Sequence, residues 1–363
     1  MGTRRTAARA AVAAALATLA FASPSQATDR WHVVADLPTA PQPWTLLDVA
    51  VGADGRGLAS GEEGSRAAVI TEGDGGWTRS YLARASLGTS RLSAVTTTAD
   101  GQAFAAGAHT TADGDRTLAV HWTGVRWERM GTRNRAGSTD LYGVAARGPD
   151  DVWAVGSSSS DGFLTTRTVI EHWNGRSWKL GRSPNPDEFQ NELTHVAIGR
   201  DGSLFAAGHT STGTLLVHRV HGRWHAVAVP VPDGFASAFL EGIAVRSRDD
   251  VWLAGYGQRS SDGQARPLVA HWDGSAWTVD RAPNVPPQSF LNDIARPGRP
   301  VAVGSSFSDV GSTGIAEERD RSGWVAGSMP ATTGLVAVAA NAGRILAVGQ
   351  SPEGDGIVEE RLP

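Results

Sequence analysis

The chain has 363 residues, 19% of them charged, with a net charge of −4, 44 Gly, 13 Trp, no Cys and a single lysine, Lys179. The slightly acidic balance argues against general attraction to nucleic acid or to acidic lipid surfaces. Without cysteine there are no disulfides, thiolate metal ligands or cysteine nucleophile, and one lysine leaves little room for Schiff-base or P-loop chemistry.

Arg4, Arg5 and Arg9 precede an apolar run over 10–22, and Ser25-Gln26-Ala27 ends in a small residue. This order predicts a secretory signal over 1–27, cleaved after Ala27, since the run is too short to span a bilayer. Thr6, Ala7 and Ala8 depart from the twin-arginine pattern, so general secretion is the expected route. The mature chain, 28–363, is expected to be an extracellular soluble monomer without a membrane span.

Self-similarity then organises the rest. Asp151-Val152-Trp153-Ala154-Val155-Gly156 recurs as Asp250-Val251-Trp252-Leu253-Ala254-Gly255. The glycine recurs at 61, 107, 156, 208, 255, 304 and 349, and a later Trp at 77, 127, 178, 224, 277 and 324, a period of about 48 residues. In the third repeat the pattern predicts strands at 141–146, 152–156, 168–173 and 178–180. The second is apolar on both faces, as a sheet covered on both sides requires. Seven repeats of four strands predict a seven-bladed β-propeller of four-stranded antiparallel blades, where a solenoid would need shorter periods and atypical ends. The last repeat stops after its third strand, and Trp31-His32-Val33-Val34 matches the missing fourth, so strand 31–34 is expected to complete blade seven.

The turns before the Trp, such as Asn174-Gly175, Asp273-Gly274 and Glu72-Gly73-Asp74-Gly75-Gly76-Trp77, resemble degenerate Asp-boxes. In this the chain is similar to bacterial sialidase-like and photosystem-assembly-factor-like propellers. The resemblance implies architecture and no particular activity.

Candidate functional residues lie where the repeats disagree. Segments 157–167, 179–191, 230–239, 257–267, 283–289 and 305–314 read as long, variable loops on one face, here called the top, and function usually sits on such loops. Asp187, Glu188 and Phe189 put an acidic pair beside an aromatic in one of them. At the start of the first strand of each repeat, polar groups replace small ones in particular blades, which makes Asp48, His195, Glu241, Asn292 and Asp293 a candidate ring at the channel mouth. His121, His172, His218 and His271 share one repeat position in four blades, so they are expected to bond within their own blades and not to gather around a metal. No cofactor is predicted. The expected function is non-catalytic binding or scaffolding of an extracellular protein, peptide or glycan. The alternative is a sialidase-like glycoside hydrolase with Glu241 as base and Tyr256 as nucleophile.

Overall fold

The computed structural model describes residues 31–361 apart from 38–41, 163, 282–287, 297, 310, 322 and 330–331. The predicted signal segment and most of the expected 283–289 loop lie outside the described residues. Within them, 28 strands, β1 to β28, form seven four-stranded antiparallel sheets. The first strands of successive blades contact one another in a closed ring from blade 1 through blade 7 and back to blade 1. β1 (Trp31–Leu37) pairs with β28 (Gly356–Arg361), so blade 7 is built from both ends of the described chain.

The recurring glycine has a specific cause. The innermost strand of every blade skips one residue in its pairing, at Leu46/Asp48, Leu92/Ala94, Leu141/Gly143, Leu193/His195, Leu240/Gly242, Leu291/Asp293 and Leu335/Ala337. This bulge bends the strand and pushes the carbonyl just before the leucine against the second strand. A Cβ on Gly61, Gly107, Gly156, Gly208, Gly255, Gly304 or Gly349 would overlap that carbonyl. The glycine and the bulge are one device, repeated seven times.

Seven apolar clusters fill the seven seams between blades. The tryptophans knit these seams together. Trp153 meets Trp224 of the next blade at 5.8 Å, and Trp252 meets Trp324 at 6.1 Å, both near edge-to-face. Arg219 and Arg319, again from the following blade, lie over the Trp153 and Trp252 rings. Trp44, outside the repeat positions, is buried against the seam of blades 7 and 1.

The histidines are also structural. Asp151 Oδ1 accepts from Trp153 Nε1 at 2.9 Å and lies 2.8 Å from His172 Nε2, and the two rings stack. Asp250, Trp252 and His271 repeat this arrangement. His121 stacks on Phe104 and bonds Gln102, while His218 stacks on Phe205. In the Asp-box-like turns, the Asp273 carboxylate accepts from Ser275 and Ala276 amides, and Gly274 takes a φ of 93°, which only glycine adopts without strain.

One expectation is corrected. Much of the predicted top-face loop is strand. The first strand of blade 3 spans Ser138–Gly148 and the second Asp151–Ser159, so 157–159 are paired. In blade 5, β18 (Phe235–Ser247) and β19 (Asp250–Arg259) take up parts of 230–239 and 257–267. In blade 6, β23 (Val301–Ser308) and β24 (Gly311–Arg319) leave only 309–310 between them. The 179–191 connection remains a loop over 181–190.

Candidate functional site

Asp48, His195 and Asp293 meet in the central channel, around a cavity of about 180 Å³. Asp48 accepts from the Val49 amide and, across the seam, from the Val95 amide, both at 2.8 Å. Asp293 does the same with Ile294 and with Val338 of blade 7. Burial pushes Asp48 up to about 8, despite these amides, and it also raises Asp293 against the pull of His195. His195 Nε2 lies 3.9 Å from Asp293 Oδ1, so blades 4 and 6 approach closely across the channel. Gly143 and Gly242 stand where a Cβ would crowd the backbone at His195 and Asp293. The two carboxyls therefore staple adjacent blades, and the small residues between them make room for the neighbouring strand.

Glu241 and Asn292 do not join that channel cavity. They line a separate pocket of about 370 Å³ at the top of the seam between blades 5 and 6, with Phe239, Tyr256, Phe290 and Phe307. Glu241 is the residue skipped at the blade 5 bulge, and Asn292 its counterpart in blade 6. At the same skipped position, Leu47, Ser93 and Tyr142 of blades 1 to 3 line the channel cavity instead. Asn292 Nδ2 donates to the Leu335 carbonyl at 2.7 Å.

Aromatic rings dominate this pocket. Tyr256 stacks on Phe239 at 5.4 Å and meets Phe290 at 4.7 Å and 72°, while Phe290 meets Phe307 at 5.7 Å and 77°. Phe239 and Phe290 hold the same repeat position in adjacent blades. The other blades have Thr45, Arg91, Asp140, Glu192 and Gly334 there, and Arg91 pairs with Asp140. Tyr256 corresponds to Glu62, Ala108, Ser157, His209, Ser305 and Gln350. Phe239, Phe290 and Phe307 were not among the sequence-based candidates. Comparing the repeats one residue before the leucine would have found the first two.

Glu241 is held as a carboxylate. Its Oε1 lies 3.2 Å from His209 Nδ1 of blade 4, a charge contact without the alignment of a good hydrogen bond. Burial pushes Glu241 up, but the nearby His209 outweighs it and leaves the acid below its usual range, while His209 is raised in turn. Burial, and then the Glu241 charge, raise the Tyr256 phenol. Among the described residues no hydrogen bond joins Glu241 to Tyr256. The phenol is thus made a weaker nucleophile than a free tyrosine.

The 181–190 loop borders this region. Asp187 organises it, accepting from the Phe189 and Gln190 amides and from Ser211 Oγ, which lowers its pKa. Glu188 and Phe189 stay exposed, Phe189 by 59%. Gln190 Nε2 sits 3.1 Å from His209 Nε2, linking the loop to the Glu241 pair. A larger cavity, about 480 Å³, opens on the opposite face between blades 1 and 2. Its acids are engaged in turns, Asp54 with the Arg56 amide and Asp100 with Gln102. Among the described residues no group of three or more acids and histidines could hold a metal ion, and no helix is long and apolar enough to cross a membrane.

No known protein family and no curated protein matches the sequence. Solved structures match in fold. A catalytically inactive virginiamycin B lyase from Staphylococcus aureus, with quinupristin, aligns over 92% of this chain and 100% of its own at 12% identity, TM-score 0.60. YCF48 from Cyanidioschyzon merolae aligns over 92% and 99% at 16% identity, TM-score 0.58. The extracellular domain of a hybrid two-component system from B. thetaiotaomicron aligns over 92% of this chain and 40% of its own at 12% identity, TM-score 0.58. At such identities the likeness is one of fold. The class is the seven-bladed β-propeller, and propellers of this shape serve as lyase, as YCF48 and as an extracellular domain.

Proposed function

We propose that the protein is an exported binding propeller that recognises a protein, peptide or glycan with its top face, at the seam of blades 5 and 6. One observation carries the reading: one residue before the bulge leucine, Phe239 and Phe290 of these adjacent blades stand where the other five carry polar or small residues, and with Tyr256 and Phe307 they surround Glu241 and Asn292. These residues create a concave, mostly apolar pocket with few polar groups, the usual form of a binding site. Glu188 and Phe189 extend it toward blade 4, and Asp48, His195 and Asp293 serve the channel.

Export rests on the 1–27 segment, and mass spectrometry of the culture medium tests it: the expected N-terminus is Thr28, and an uncut chain kept with the cells contradicts it. Binding is tested on glycan and peptide arrays with the wild type and with Tyr256→Ala and Phe290→Leu variants. A hit lost in both variants, at unchanged melting temperature, supports the site; a hit that neither variant alters contradicts it. The glycoside-hydrolase reading has in its favour that Glu241 and Tyr256 share one pocket. Against it stand the raised phenol and three separated arginines, with Arg91 paired to Asp140, Arg167 bonded to the Asp187 carbonyl and Arg259 beside Asp262. Turnover of chromogenic glycosides, abolished by Glu241→Gln, would restore that reading.

A further inference from the structure

We infer that the cavity of about 480 Å³ between blades 1 and 2 binds a small indole-type aromatic molecule, which takes the seat that a tryptophan fills in two other seams. It lies on the face opposite the pocket of blades 5 and 6 and stands apart from that reading. The repeat itself supplies the template. In the seam of blades 3 and 4, Trp153 stacks on His172 at 4.0 Å, is covered by Arg219 at 4.7 Å and is met edge-on by Trp224. The seam of blades 5 and 6 repeats the set with Trp252, His271, Arg319 and Trp324. Strand register identifies the counterparts between blades 1 and 2. Trp153 pairs with His172 as Leu58 pairs with Thr71, and Arg219 pairs with Trp224 as Trp122 pairs with Trp127. Those four counterparts, Leu58, Thr71, Trp122 and Trp127, all line the cavity. The void therefore lies where blade 3 places its indole, left by two shorter side chains.

The remaining seams close this seat by other means. Phe104 stacks on His121, and Phe205 on His218. Blades 6 and 7 carry Val301 and Leu346 there, and ion pairs take the surrounding positions: Arg361 with Glu318 in one seam, Arg344 with Glu72 and Glu360 in the other. Blade 1 has neither device among the described residues. Arg56, at the place of Asp151, pairs instead with Asp74, whose side chain is 95% exposed. The contact of Trp122 with Trp127 at 5.8 Å recurs as Trp173 with Trp178 and Trp272 with Trp277, so it belongs to the frame. What is particular to this seam is the missing ring beside them. A concave, mostly apolar cavity of this size suits a small ligand, and one left by a missing side chain favours a molecule of that side chain's shape.

The test is a calorimetric titration of the propeller with indole and with 2-decalol, a saturated bicyclic alcohol of similar size. Indole should bind saturably and about threefold or more tighter than 2-decalol, because aromatic walls favour an aromatic guest beyond its buried area. Leu58→Trp restores the ring that blades 3 and 5 carry and should abolish saturable indole binding at an undiminished melting temperature. If that variant melts lower, Ala99→Trp on the exposed rim decides the matter. Its tethered indole competes for the cavity and should weaken binding by about fivefold or more. Tyr256→Ala, in the top pocket, should leave indole binding unchanged. No saturable indole binding, equal affinity for the two probes, binding unchanged in a stably folded blocking variant, or binding lost in Tyr256→Ala would overturn the site.

Discussion

Gly255 and its six counterparts face a carbonyl that any Cβ would overlap, while Gly75 has nothing within 4 Å of its virtual Cβ. Gly255→Ala is therefore expected to destabilise by about 3 kcal/mol or more, and Gly75→Ala to be nearly silent, in denaturant melts. His172→Ala removes a ring stacked on Trp153 and bonded to Asp151, at a cost of roughly 1–3 kcal/mol, and it should leave ligand affinity unchanged. Three glutamates at one repeat position, Glu171, Glu317 and Glu359, occupy sites where other blades carry Ile70, Val120, Val217 and Ala270. Burial pushes them up to about 7, 8 and 7. Since an exposed glutamate titrates near about 4.3, the unfolded chain releases these protons first as pH rises. Their stabilising neutral form is fully present below that value, and the contribution is lost progressively until pH passes the folded values. Glu317→Gln should therefore raise the melting temperature at pH 8 and change it little at pH 4; an equal effect at both pH values would contradict the assignment.

At the scale of strands, β1 closes blade 7, and its Trp31 packs against the seam of blades 6 and 7. Removing β1 would expose a paired edge and open the ring, so a chain lacking 31–37 should melt well below the intact propeller and aggregate. If it melts unchanged, closure by β1 is not what holds the ring. This closure was legible from the sequence because a Trp-led strand was missing at one end and present at the other. Strand lengths were less legible. Ser157, Ser158 and Ser159 show no apolar alternation, and what extends the strand there is backbone pairing with 138–140. The bulge was invisible too, because skipping one residue leaves the apolar pattern of the strand core intact. Glu241 and Asp293 were expected in a single ring because both stand at the start of a first strand. In blades 5 and 6 the skipped residues Glu241 and Asn292 line the seam pocket, whereas Leu47, Ser93 and Tyr142 at that position line the channel.

Across the whole molecule, seven near-equal blades supply rigidity, and their differences supply the site. The repeat periodicity was readable at once because core positions recur. The pocket was only half readable, since its rings come from two blades and from both sides of a hairpin. The central claim is that a partner engages the top of the seam between blades 5 and 6. Hydrogen–deuterium exchange of the propeller with and without a glycan or peptide taken from the arrays tests it most directly. The account predicts slowed exchange in the top ends of those blades, near 235–241, 255–259, 289–293 and 304–308, and in the 181–190 loop. Slowed exchange confined to the opposite turns, such as 52–56 and 98–102, with the top unchanged, would contradict it.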